Sequence, residues 1–404
     1  MLNVVILNGG RGASSIIPAL LSRHRLNVTS IVNAYDDGKS TGAIRRFFGM
    51  LGPSDIRKVQ ELMLSKDDPE HENYVTLFQY RFPLDCNRED VLEQLKLFLD
   101  SESMELVGIH LNNIRVREKL KYFLAEFLAG LNTIEKARQE QFDFADCSIM
   151  NCLYAGAFLA SNRNIEQATI SIDRLFQLRG KVLPTSIEDK KLVAQRENGE
   201  ILYSEAEIVE LRSNVRVERI YLLDQSLDKS KFEILDHNEK RSYLERHHCY
   251  VGVSPGVRLA LQQADIIIYS AGTQHSSLYP TYMSAGLAES ISDNHSALKV
   301  FITNIGADYE TPSYKASDYI LGAHRYLNLS DERNYSMEEL FDVIFINQSH
   351  FKDDETYVEY DEEGFHDISI QRLIDVFESE DNPGKHNGTK VVKTILDLYE
   401  EKHI

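Results

Sequence analysis

The sequence predicts an α/β protein: a doubly wound, mostly parallel sheet with a helical layer, a small antiparallel β accessory region and a C-terminal helical tail. Three observations carry this. The chain opens with a strand, a glycine loop and a helix start, in that order. Short Val- and Ile-rich runs recur at residues 28–33, 266–270, 300–304 and 343–347, as expected of strands buried on both faces. Between them, apolar residues repeat at three- and four-residue spacing, the period of amphipathic helices.

Residues 2–7 (LNVVIL) read as a buried strand, and Gly9, Gly10, Arg11 and Gly12 as a tight loop before a helix over 13–21. Glycines there let backbone N–H groups approach an anion, and a helix start favours negative charge. An ordinary strand-to-helix bend uses the same residues, and the phosphate reading, with a nucleotide as ligand, is the stronger of the two. The second strand, 28–33, opens into Ala34, Tyr35, Asp36, Asp37, Gly38, Lys39, Ser40, Thr41 and Gly42. Paired carboxylates, a basic residue and hydroxyls around glycines suit a divalent metal such as Mg²⁺ and the phosphates it bridges. A solvated turn has the same composition. Ser54 and Asp55 stand at the next helix start, where capping is the default role and facing the cleft the alternative for Asp55.

Helical periodicity then covers 56–64, 74–81, 89–100, 115–128, 133–141, 149–160 and 165–177. Tyr80, Phe82, Phe123 and Phe127 read as core aromatics. Asn151 differs, because an amide in a nearly apolar helix must satisfy a buried backbone group or point at a ligand. Short β signals at 182–183, 191–195, 200–203 and 217–223, with Asn198-Gly199 as a hairpin turn, predict an antiparallel accessory sheet. Residues 224–249 are charged and irregular, which suits a surface excursion with His247 and His248 solvated. A helix is expected over 255–263, a loop over 271–277 and a helix over 278–291. In the tail, Asp353, Asp354 and Glu355 with Asp361, Glu362 and Glu363 form an acidic loop. Residues 389–399 form an amphipathic helix that docks on its own domain or on a second subunit.

The 404 residues are expected to divide into an α/β nucleotide-binding domain, 1–347, and an extension, 348–404. The domain includes a helical region, 56–179, and the accessory β region, 180–250. A formal net charge of -19 argues against nucleic-acid and anionic-membrane partners. Cys86, Cys147, Cys152 and Cys249 form no CxxC pair, and the opening strand turns polar too soon for a signal peptide, so a cytoplasmic protein is expected. Each proposed parallel strand ends in polar or glycine residues: Asn8-Gly9-Gly10, 33–37, 270–277, Asn304 and Asn347. Ligands of doubly wound sheets sit beyond the carboxyl ends of the strands, so these loops are expected to meet at one cleft.

Several segments, in this order, resemble one family. They are Gly9 to Gly12, Asp36 to Gly42 with Arg45, Pro53-Ser54-Asp55-Ile56-Arg57, Phe78 to Phe82, Ser148 to Asn151, Arg179 to Pro184, Ala264-Asp265 leading into Ala271-Gly272-Thr273, Ser276-Ser277-Leu278, and Lys299 to Asn304. The chain resembles the 2-phospho-L-lactate transferase (CofD-like) superfamily, and most closely its bacterial YvcK-type gluconeogenesis-factor branch. The resemblance implies a Rossmann-like fold, often dimeric. Transferase members move a phospholactyl or phosphoenolpyruvyl group from a guanosine-diphosphate carrier to a hydroxyl, with a divalent metal. YvcK-like members bind a UDP-sugar and influence carbon metabolism or cell-wall synthesis. By position, the resemblance implies metal-associated carboxylates at Asp37 and Asp55, a phosphate loop at Gly10 and Gly12, and a second nucleotide loop at Gly272, Thr273 and Ser276. Asn151 matches the helical asparagine of the bacterial branch. The chain departs from many bacterial members at Lys39, Cys147, Met150 and Ala271.

Two functions therefore stand side by side. One is a transferase in which Asp37 and Asp55 bind metal and Lys39 or Arg45 assists. The other is a binding protein that grips a UDP-sugar without chemistry. An oxidoreductase is the weaker third, because Ser15 replaces the last small residue of the dinucleotide fingerprint.

Overall fold

The computed structural model describes residues 1–10, 12–100, 102–348 and 356–403. Its centre is a seven-stranded, wholly parallel sheet. In chain order the strands are β1 (Leu2–Asn8), β2 (Leu26–Val32), β3 (Lys181–Pro184), β4 (Ile266–Tyr269), β5 (Leu298–Ile302), β6 (Val343–Asn347) and β7 (Gln371–Asp375). They lie side by side as β7-β6-β5-β4-β1-β2-β3. The order reverses at β1, where Val4 pairs with Val28 on one side and with Ile266 on the other. Loops leaving β1 and β4 therefore part at this point and leave a crevice between them. Val4, Ile6, Val28, Ile31, Ile266 and Ile268 are fully buried, which is what their uninterrupted apolar runs require.

Helices Ser54–Leu62, His71–Gln79, Arg88–Phe98, Ile114–Arg138, Ile149–Ala160 and Ile165–Leu175 make the helical layer. The two helices expected over 115–141 are one continuous helix of 25 residues. No proline separates them and the helix runs through Gly130; Asn113 caps its start through the N–H groups of Arg115 and Val116. Phe82, Phe123 and Phe127 are buried, and Tyr80 packs against the core.

The accessory sheet holds Ile201–Leu202, Lys191–Arg196 and Val217–Leu223, all antiparallel. Residues 182–183 do not belong to it. They lie in β3, which extends the parallel sheet beside β2. The stretch 224–249 is not irregular either. It contains helices Lys229–Phe232 and His237–His247, the second started by a reciprocal Asp236–Glu239 capping box. Phe232 and Leu244 close a small separate core with Val193, Ile201, Tyr221 and Leu223. His248 is only partly exposed; its Nδ1 accepts the Leu222 N–H at 3.1 Å, and burial pushes its pKa down to about 4.

The helix expected over 278–291 is broken in two. A wide π-type turn, Gln274–Leu278, runs into Tyr279–Tyr282, and Gly286 at φ +82 precedes Leu287–Asp293. The tail contributes more than a helix. β7 pairs in parallel with β6, and helix Gly388–Lys402 buries Val391, Val392 and Ile395 in the core of its own chain. Asp361 receives the Ser317 N–H at 3.0 Å; Asp353, Asp354 and Glu355 lie outside the described residues. No helix among the described residues is long and apolar enough to cross a membrane.

Candidate functional site

A cleft of about 1270 Å³ opens over the carboxyl ends of β1, β2, β4 and β5. Gly9, Gly10 and Gly12 line it from the first loop, and Asp36, Lys39 and Ser40 from the second. Asp55 enters from helix Ser54–Leu62, Gly272, Thr273 and Ser276 from the loop after β4, and Asn304 from the loop after β5. Segments separated by some 250 residues in sequence thus reach one surface. Arg11 lies outside the described residues.

The glycines allow backbones to touch. A Cβ on Gly12 would lie 2.2 Å from the Ala271 carbonyl oxygen and 2.7 Å from the Gly272 Cα, so the two loops could not meet with any side chain there. A Cβ on Gly10 would strike the Asp55 carboxylate at 2.4 Å. Asparagines at the strand ends stitch the loops together. Asn33 Nδ2 donates to the Ser276 carbonyl at 2.8 Å, and Asn304 accepts the Gly272 N–H at 2.9 Å while donating to the Gly272 carbonyl at 3.1 Å.

Three expected site residues are committed elsewhere. The Asp37 carboxylate accepts the Ala206 N–H at 3.0 Å, at the start of helix Glu205–Glu210, and is not part of the cleft wall. Arg45, 1% exposed, donates to the Tyr35 carbonyl at 2.5 Å, the Asp36 carbonyl at 3.2 Å and Asp189 at 2.5 Å. It fixes the acidic loop from behind. Asn151 is buried; its Nδ2 donates to Ser40 Oγ at 3.3 Å and its Oδ1 has no partner among the described residues. Ser54 and Asp55 make no capping hydrogen bond; Asp55 pairs instead with Lys58 at 2.8 Å.

Ser276 is in the wall but is not a free donor. Its N–H and Oγ both donate to Glu310, at 2.9 and 2.5 Å, and the His275 N–H does so at 3.0 Å. This internal carboxylate occupies the start of the π-type turn. Burial, reinforced by Asp308, pushes its pKa up to about 8.

Asp36, Asp55 and Glu205 are three of the cleft's carboxylates; Asp146, Glu210 and Asp308 also line it. Burial and then the Asp55 charge raise the Asp36 pKa, and burial with Asp36, Asp55 and Asp37 holds Glu205 well above the usual carboxylate range. Lys39, Arg57, Lys58 and Arg81 line the same cleft, with Lys58 paired directly to Asp55. Among the described residues no three His, Cys, Asp or Glu side chains are arranged to hold a metal ion by themselves.

Sequence reasoning missed Glu205, Glu310 and the segment Gly384, Lys385 and His386, which closes the cleft from the tail. Nothing local marks them: Glu205 and Glu310 lie among many surface carboxylates, and His386 follows a turn. His386 is nevertheless buried, and its pKa is pushed down to about 4 by that burial.

The family model described as 2-phospho-L-lactate transferase CofD matches residues 4–381. The chain belongs to that family. Gly384 to His386 fall just past the matched span. Among its relatives are the gluconeogenesis factor of Listeria monocytogenes, 24% identical over 97% of this chain and 94% of the relative. That of Halalkalibacterium halodurans is 25% identical over 98% and 96%. The crystal structure of a UPF0052-family protein from Bacillus halodurans superposes with a TM-score of 0.67 at 21% identity, covering 98% of this chain and all of that one. The CofD-family fold, with its parallel sheet, small antiparallel sheets and C-terminal helix, is therefore that of this chain.

Proposed function

We propose that this CofD-family protein binds a nucleotide diphosphate ester across the cleft and, with a divalent cation, passes its phosphate-containing group, of phospholactyl or phosphoenolpyruvyl type, to a hydroxyl acceptor, the P–O–P bridge breaking to release the nucleoside monophosphate. One observation carries the reading: a glycine loop and two carboxylates, Asp36 and Asp55, meet at the switch point of a parallel sheet. Backbone groups at Gly9, Gly10 and Gly272 would hold the diphosphate, with Asn304 keeping Gly272 in place.

Mg²⁺ is usually held by one or two carboxylates plus the ligand's phosphates rather than by an all-protein cage, so Asp36 and Asp55 fit it even though no three such side chains among the described residues form a cage. Asp36 takes the place expected of Asp37, because adjacent residues of the turn point apart and Asp37 caps a helix. When bound, the cation would neutralise charge on the attacked phosphate. The chain's own part is positioning: Arg45 immobilises the acidic loop and Lys58 keeps Asp55 oriented. The same reading has the protein act in the cytoplasm as a homodimer, which light scattering tests.

The relatives' name, gluconeogenesis factor, favours a second reading, a UDP-sugar-binding regulator without turnover. A thermal-shift panel of GDP and UDP-sugars with and without Mg²⁺ separates them. Mg²⁺-dependent stabilisation by GDP, lost in Asp55→Asn, supports transfer; metal-independent stabilisation by a UDP-sugar supports the regulator. No response to any nucleotide refutes both.

A further inference from the structure

Two thiols lie against each other where helix Ile149–Ala160 begins. Cys147 and Cys152 are both fully buried, and their Sγ atoms stand 3.8 Å apart. Ser148 is the helix cap, so Cys147 is the residue before the cap and Cys152 the fourth residue of the helix. Side chains at those two positions meet across the first turn, where an apolar pair commonly staples the entering chain to the helix. In this chain the staple is a dithiol. A disulfide needs about 2.05 Å between its sulfurs, so side-chain torsions have only the remainder of the gap to close.

The surroundings fix where the pair sits and how it is reached. The Cys147 carbonyl accepts the Phe82 N–H at 2.9 Å, and the Ile149 N–H donates to the Tyr80 carbonyl at 3.3 Å, which holds Ser148 opposite Arg81. Arg81 lines the cleft, and Asn151, one residue before Cys152, donates to Ser40 of the same wall. The pair therefore lies behind the cleft wall. Yet this helix start is incompletely satisfied. Ser148 makes no side-chain capping bond, and its Oγ and the Asn151 Oδ1 are buried without partners among the described residues. A turn with two unpaired buried oxygens loses little on opening, so a small reagent reaches the thiols without global unfolding.

We propose that Cys147 and Cys152 form a redox-sensitive covalent staple, which closes to a disulfide when a peroxide reaches it and reopens under a thiol reductant. One thiolate takes an oxygen from the peroxide, giving a sulfenic acid and hydroxide. The second thiolate attacks that sulfur and expels another hydroxide, so the O–O bond is reduced as the S–S bond forms. Thiol exchange with the reductant returns both cysteines. Burial, with the adjoining Cys147 thiol, raises the Cys152 pKa; because the thiolate is the reacting species, closure is faster at pH 9 than at pH 7. The inference is independent of the nucleotide reading.

Peptide mapping tests it, because trypsin cutting after Arg138 and Arg163 places both cysteines, and no other, on the peptide 139–163. The folded full chain is treated with hydrogen peroxide, unfolded in an alkylating reagent and digested. The expected peptide is unalkylated and two hydrogen atoms lighter than the dithiol, and treatment with dithiothreitol before alkylation restores two alkyl groups. In Cys152→Ser the lighter peptide is absent and Cys147 carries a sulfenic acid that dimedone traps. Should that variant fail to give a cooperative melt, the wild-type map alone decides. The staple is overturned if the wild-type peptide keeps two alkylated thiols, if either sulfur links to Cys86 or Cys249 instead, or if the link appears only when peroxide is added in urea.

Discussion

Glu310 links the stability of the cleft to pH, and Glu310→Gln isolates the link. The side chain is 4% exposed and receives three hydrogen bonds from His275 and Ser276, yet burial and Asp308 raise its pKa from 4.5 to about 8. An unfolded chain releases this proton near pH 4.5, whereas the folded chain keeps it to about pH 8. The folded state therefore binds more protons in that window, and its stability falls as pH rises through it. At about 1.4 kcal/mol per pKa unit, the whole effect is at most about 5 kcal/mol, complete below pH 4.5 and gone above pH 8. Glutamine keeps the shape and an acceptor but does not titrate. For a chain of this length 1 kcal/mol corresponds to roughly 1 °C, so the Tm of Glu310→Gln relative to wild type should rise by about 4 °C between pH 5 and pH 8.5. Differential scanning calorimetry across that range measures it. The difference between the two proteins removes the contributions of His248 and His386, which titrate alike in both. A Tm difference that stays flat with pH refutes the argument.

Other perturbations separate loop geometry, capping and tail packing. Gly12→Ala places a Cβ against backbone atoms of Ala271 and Gly272 that cannot rotate away; it should cost about 1–3 kcal/mol in urea unfolding and weaken nucleotide binding in titration. Asp37→Ala removes the acceptor of the Ala206 N–H and should cost about 1 kcal/mol of stability while leaving the Mg²⁺ response of nucleotide binding in place. A lost Mg²⁺ response in Asp37→Ala would return that residue to the metal site. Deleting residues 388–404 strips Val391, Val392 and Ile395 from the core, at about 1.5–3 kcal/mol each, and should give a chain that binds a hydrophobic dye and melts without cooperativity. A cooperative melt of the truncated chain would show that the helix is an appendage.

Most of the parallel sheet was legible because a strand covered on both faces must be apolar along its whole length. β1, β4, β5 and β6 announce themselves in that way. β7 does not. Its sequence, QRLID, contains no fully buried residue at its edge position, so the apolar run that marks the other strands is absent. β3 offered only Val182 and Leu183 as a signal, and two residues do not tell whether their neighbour runs parallel or antiparallel. The Asp236–Glu239 capping box was readable at its three-residue spacing, but the polar face of helix His237–His247 hid the helix behind it.

The meeting of the loops was legible for a different reason: it follows from strand order, and strand order reverses at β1. Which side chain of each loop faces the cleft is a matter of single backbone torsions, and there residue type is silent. Asp36 and Asp37 have the same chemistry and are adjacent, yet one lines the wall and the other closes a helix from the accessory region. Arg45 and Arg57 likewise share a charge, but Arg45 is spent on Asp189 and the Tyr35, Asp36 and Lys190 carbonyls, while Arg57 lines the wall with no ion pair among the described residues. The distinction matters chemically, because a buried cation paired from within the chain braces the loop it holds, whereas a buried cation without an ion pair bears its desolvation cost uncompensated.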